Sequence, residues 1–174
     1  MIARVKHGKN RTILLVTHHF APESGAPQRR WGALAGHLVP AGYPLTVLTP
    51  PPHYPSGKIT HFSPEFLPGS VSSGSHGEKI IRVNYREHSN GLGSRATDQV
   101  VAAASSVLHG VRPAAGRPAA VIATVPGIPS VVAGWALARW HRASFVVEMR
   151  DAWPDLIQRQ RAASSATLRA FRPG

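Results

Sequence analysis

The 174-residue chain contains no cysteine. That absence excludes disulfides, thiolate metal sites and a cysteine nucleophile. It also lacks any apolar run near the ~18 residues that a membrane span needs. Its first apolar run, Ile13 to Val16, is too short for the apolar part of a signal peptide and meets His18-His19 at once. The expected location is therefore cytoplasmic. Acidic residues are scarce, Asp+Glu 8 against Lys+Arg 20, a formal net charge of +12. Lysine is scarce too, with only Lys6, Lys9, Lys58 and Lys79, so the excess is carried by arginine. Such a surplus calls for an anionic partner: a phosphate-bearing substrate, an acidic membrane surface or nucleic acid. Aromatics make up only 7% and no nucleic-acid reading motif accompanies them, so nucleic acid is not expected. What the chain does have is 43% hydrophobic residues, enough for a globular core, and 16 Gly and 16 Pro, which predict long or sharply turned loops. The length is that of about one domain.

Residues 1–11 are polar and basic and read as an N-terminal arm; residues 12–174 form the domain. Thr12 to Thr17 is a continuous apolar run of β-formers between polar flanks, the pattern of a strand buried on both faces. After a Pro/Gly-bearing loop, Trp31, Leu34, Ala35 and Leu38 recur at helical spacing, with Pro27 near the first turn and Ala41-Gly42 at the end. Leu45 to Leu48 predicts a second strand. Residues 50–78 show no clean period, which in a compact domain marks a functional or mobile stretch. Lys79 to Arg86 predicts a third strand, Ala96 to Val111 a helix, Ala119 to Val125 a fourth strand, Ile128 to His141 a helix, Ser144 to Glu148 a fifth strand, and Leu156 to Leu168 a last helix. This alternation predicts an α/β fold, a parallel sheet with helices on both faces. Ligands of such sheets bind at the carboxyl ends of the strands, where the loops bearing His18-His19, Pro50 to Lys58 and Glu148 to Asp151 would meet.

Several familiar motifs fail here. The loop after the first strand has Glu23-Ser24-Gly25-Ala26-Pro27, a single glycine where a dinucleotide fold shows three. One Gly before a helix start can still present backbone N–H groups to a phosphate, or serve simply as a turn. Ser56-Gly57-Lys58 is no P-loop, because Pro52 stands at the upstream Gly position and Ile59 replaces the metal-binding hydroxyl. On an extended segment His18 and His19 would point to opposite sides, with no Cys or acidic cluster beside them, so no metal is expected. One of them could contact a sugar or phosphate, or both could be solvated loop histidines, and His53 carries the same ambiguity. Arg150-Asp151, closing the fifth strand, supplies a cation and a carboxylate at the ligand edge; the carboxylate could act as base, bind a sugar hydroxyl or cap the next helix.

The ordered set TILLVTHHFAPESGAPQRRWGALAGHLVPAGYPLTVLTPPPHYPSGK, then FVVEMRDAWPD, resembles the N-terminal domain of family 4 glycosyltransferases over roughly residues 12–160. It looks closest to the branch that builds surface polysaccharides on lipid carriers. The resemblance implies a Rossmann-like doubly wound sheet, one half of a GT-B enzyme whose other half binds the nucleotide-sugar donor. A chain of 174 residues has no room for that half, so it reads as a truncated or split product, inactive alone. The resemblance implies that Ser24, Gly25 and Ala26, with His18 and His19, approach donor phosphate or substrate. It implies that His53, Tyr54, Gly57 and Lys58 face the acceptor, and that Arg150 and Asp151 lie near the reacting sugar. Ser24 stands where the family motif often has a second Gly.

The implied activity is retaining, metal-independent transfer of a sugar from a nucleotide-sugar to a lipid-linked or polysaccharide acceptor, with no cofactor. The charge suits a diphosphate acceptor and peripheral contact with the anionic inner face of the cell membrane. The alternatives are a non-catalytic sugar- or nucleotide-binding module and, behind it, a basic nucleic-acid-binding protein.

Overall fold

The architecture was read from a computed structural model that describes residues 11–88, 92–125 and 127–149. The expected catalytic pair Arg150 and Asp151, the arm before Arg11 and the last expected helix lie outside the described residues. The elements are β1 (Ile13–Val16), α1 (Ala26–Leu38), β2 (Leu45–Thr49), β3 (Val71–Ser73), β4 (Lys79–Arg82), α2 (Leu92–Gly110), β5 (Ala120–Thr124), α3 (Ile128–His141) and β6 (Ser144–Glu148). Short 3-10 turns occupy Pro64–Phe66 and Pro113–Ala115.

They form an α/β domain with one six-stranded sheet in the order β3-β4-β2-β1-β5-β6. All pairings are parallel except that of β3 with β4. The arrangement is compatible with a Rossmann-like fold. Alternation along the central strands explains their largely apolar runs. Leu14 and Val16 of β1, with Leu48 of β2, face α2 and α3, where Ala102, Ala103, Ala133 and Leu137 close the core. Leu15 of β1, with Leu45 and Val47 of β2, faces α1 through Trp31 and Ala35. Both sheet faces are thus covered, and the central strands are apolar except for the buried threonines Thr46, Thr49 and Thr124.

Three sequence expectations change. The segment 50–78 is not devoid of regular structure: it holds a 3-10 turn and β3, which adds a sixth, antiparallel strand. The strand expected over 79–86 pairs only as far as Arg82, because β2, its parallel partner, ends at Thr49. Two helices begin earlier than the periodicity indicated, α1 at Ala26 with Pro27 in its first turn and α2 at Leu92, whereas α3 has the expected bounds.

At the strand order's reversal, β2 leaves one side of β1 and β5 the other. The C-terminal ends there are joined by Thr124 Oγ1–H, which donates to Thr17 Oγ1 at 3.0 Å. Such a reversal opens a crevice at the carboxyl edge of a parallel sheet.

Candidate functional site: a histidine cleft at the carboxyl edge of the sheet

The chain leaves β1 through a bend. The Thr17 hydroxyl donates to the carbonyl of His19 at 3.1 Å, and Phe20 is buried in the α1-side core. Held at both ends, His18 and His19 do not lie on an extended strand, and their rings do not diverge as sequence adjacency implied. The centroids are 5.0 Å apart, and each stands 4.9 Å from the ring of His53, which arrives from the loop after β2. The three imidazoles form a nearly equilateral triangle.

Each ring has an acceptor behind it. His18 Nε2 lies 2.9 Å from Oδ2 of Asp98, a buried carboxylate on α2. His19 Nδ1 lies 3.3 Å from Oε2 of Glu23. His53 Nδ1 lies 2.8 Å from the carbonyl oxygen of Pro51, which can only accept, so this nitrogen carries the proton. Tyr85, past the end of β4, stacks on His53 with centroids 4.2 Å apart and donates its hydroxyl proton to the Gly57 carbonyl at 2.9 Å.

Glu23 ties the two loops together. Its Oε1 accepts the backbone N–H groups of His53 and Tyr54, the latter at 2.7 Å, and its Oε2 accepts Gln28 Nε2–H at 2.9 Å. Burial alone would push this carboxyl up, but the contacts from His19, the two backbone amides and Gln28 outweigh it and hold the pKa at about 2. Burial, and then the neighbouring His18, lower His53 to about 4, so it is neutral at physiological pH. Burial, with Asp98, Glu87 and Glu23 nearby, raises the Tyr85 phenol well above its ordinary value and keeps it protonated.

A second clamp comes from Arg82, a fully buried guanidinium at the end of β4. It donates Nη1–H to the Pro50 carbonyl at 2.9 Å and Nη2–H to the Ala21 carbonyl at 2.6 Å. Burial lowers its pKa to about 10, opposed by Glu23, and it remains a cation.

The resulting cleft has a volume of about 250 Å3, and its walls include His18, His19, His53, Tyr54, Gly57 and Asp98. Five of the residues expected at the substrate edge therefore meet in one cavity. The other candidates among the described residues do not line it. Lys58 is exposed and paired with Glu87 at 3.1 Å. Ser24 is exposed, Gly25 is the N-cap of α1 and Ala26 its first residue. Gly25 has extended backbone, and its role is close packing: a Cβ there would meet Gln28 Oε1 at 2.5 Å.

Sequence reasoning missed Asp98, Tyr85 and Arg82, and quoted Glu23 without a role. No local motif marks the first three. An acidic residue within a His-His-x3-Glu stretch was a signal for Glu23, since residues four apart around a bend can meet.

No family model and no curated protein matches the chain.

The site's chemistry thus rests on its own geometry: three imidazoles with fixed outer acceptors, one of them neutral, facing an open polar cleft. Such a wall can hydrogen-bond sugar hydroxyls, meet phosphate oxygens or ligate a cation.

Proposed function

We propose that the chain is the acceptor-side domain of a GT-B glycosyltransferase that moves a sugar from a nucleotide-sugar to a lipid-linked or polysaccharide acceptor. The observation that carries the reading is the convergence of the two expected substrate loops, His18-His19 and His53 to Gly57, in one cleft at the carboxyl edge of the sheet. A cleft of this size holds about one sugar ring or one diphosphate. Histidine nitrogens and the rim residue Tyr54 are suited to hydroxyl and phosphate oxygens. In this reading the second Rossmann-like half supplies the donor, and oriented positive groups stabilise the leaving diphosphate. Arg150 and Asp151 remain the proposed groups nearest the reacting sugar.

The test is calorimetric titration of the chain, in chelator-containing buffer, with a short-chain isoprenyl diphosphate saccharide and with a panel of nucleotide-sugars. Saturable binding of the first, weakened at least tenfold by His18→Ala, is the expected result. Nucleotide-sugars should bind weakly. A low-micromolar dissociation constant for one of them, about −8 kcal/mol, would instead place the donor site on this half. Absence of any saccharide binding would overturn the assignment.

A further inference from the structure

We infer that His18, His19 and His53 form a three-histidine site for a divalent transition metal of the zinc class, with its open coordination position facing the cleft. One ring nitrogen from each histidine lies within 4.8 Å of those of the other two. A tetrahedral ion with Zn–N of 2.0–2.1 Å needs nitrogens about 3.3 Å apart, so each ring has only about 1 Å to close.

The stronger argument is what stands behind the rings. Metal-ligating imidazoles almost always donate their other N–H to a carboxylate or backbone carbonyl, which fixes the tautomer and aims the lone pair at the metal. All three histidines have such an acceptor within reach, on α2 for His18 and within their own loops for His19 and His53. Asp98 faces Nε2 of His18 at 2.9 Å, Glu23 faces Nδ1 of His19 at 3.3 Å, and the Pro51 carbonyl takes Nδ1 of His53 at 2.8 Å. The Pro51 carbonyl fixes the proton of His53 on Nδ1, and the carboxylates beside His18 and His19 favour a proton on the facing nitrogen. The lone pairs fall on His18 Nδ1, His19 Nε2 and His53 Nε2. Two of these, His18 Nδ1 and His53 Nε2, are buried without a hydrogen-bond partner, as are His19 Nδ1 and both Asp98 oxygens, whose contacts are close ion-pair approaches rather than aligned hydrogen bonds, an arrangement that is costly unless something draws the rings into line.

The donor set selects the ion. Three imidazoles and no thiolate suit zinc, cobalt, nickel or copper, whereas magnesium and calcium want oxygen ligands. Three protein ligands with an open fourth position is the form of a reactive rather than a structural site. The fourth position would take water or an oxygen of a bound ligand. This departs from the metal-free expectation of the sequence, which rested on divergent rings and on the lack of acidic neighbours. It does not rest on the glycosyltransferase reading.

The experiment is a zinc titration of the chelator-stripped full chain in competition with a chromophoric chelator. Expected are one zinc per chain with a submicromolar dissociation constant, a raised Tm with zinc and none with magnesium. A cobalt complex should show visible absorption of tetrahedral strength. His19→Gln, at the most exposed of the three, should weaken zinc at least tenfold while leaving the metal-free Tm near wild type. Asp98→Asn should weaken it about 10- to 100-fold through loss of its hold on His18. His61→Gln, remote from the triangle, should change nothing. Substoichiometric or non-saturating zinc, or equal affinities in His19→Gln and His61→Gln, would overturn the site and assign any binding to surface histidines. No saccharide is present in this titration and no metal in the saccharide titration, so each can fail alone.

Discussion

At the scale of single residues, the cleft stores acid sensitivity in two groups. Glu23 has a folded pKa of about 2 against 4.5, and His53 about 4 against 6.5. Both are lowered, so in each window the unfolded chain binds more protons and stability falls as the pH falls. For His53 the contribution is full above pH 6.5 and is lost between 6.5 and 4. For Glu23 it is full above 4.5 and is lost between 4.5 and 2. Each shift corresponds to something on the order of 3 kcal/mol. Urea midpoints measured in chelator should hold steady above pH 7, then decline in two stages. Glu23→Gln should flatten the lower stage, and an unchanged acid limb would contradict the hub role. Gly57 offers a second residue-scale test. Its φ is +74, and a Cβ there would meet the His88 ring at 2.5 Å. Gly57→Ala should cost at least 1–2 kcal/mol by chemical denaturation, the left-handed penalty alone, and should narrow the cleft.

At the scale of elements, two helical glycines should respond with opposite signs. Gly134 lets α3 lie against β5: a Cβ would come within 2.8 Å of Ala123 Cβ and 3.1 Å of Phe145. Gly134→Ala should therefore destabilise by about 1–3 kcal/mol through overpacking. Gly32 in α1 has nothing within 4 Å of that position, so Gly32→Ala should stabilise by about 0.5–1 kcal/mol. Thermal unfolding of the pair checks both signs, and a shared sign would refute the packing argument. The same elements show what sequence could and could not disclose. β1, β2 and β5 were legible because burial on both faces leaves a largely apolar run of β-formers. β3 was not, because Val71-Ser72-Ser73 is short and largely exposed, held by its hydrogen bonds to β4 rather than by a core. His18, His19 and His53 were legible as candidates, yet their convergence was not. Adjacent residues diverge only on an extended chain, and the bend after Thr17 removes that premise. Asp98 and Tyr85 carried no signal because their roles depend on a helix and a strand end brought in from 80 and 67 residues beyond His18 in the sequence.

At the scale of the whole molecule, the charge of +12 and the exposed side chains Tyr54, Phe62 and Leu67 on the loops after β2 favour an anionic surface. No helix among the described residues is long and apolar enough to cross a membrane, so contact of that kind would be peripheral. The chain should sediment with anionic vesicles and not with neutral ones. Each engaged Lys or Arg should contribute about 1 kcal/mol, with release as salt rises. Equal sedimentation with both vesicle types would argue against such contact.

The two clamps described above also fix how the cleft can breathe. Glu23 fastens the loop after β1 to the amides of His53 and Tyr54, while Arg82 holds the carbonyls of Ala21 and Pro50. The two loop walls are thereby riveted into one plate, facing an α2 wall that is itself anchored in the core through Ala102 and Ala103. Hydrogen–deuterium exchange should show the His53 and Tyr54 amides trading protons at a single common rate. Neither loop can then shift without the other, so a molecule too large for the standing aperture must displace both at once, whatever its affinity once inside.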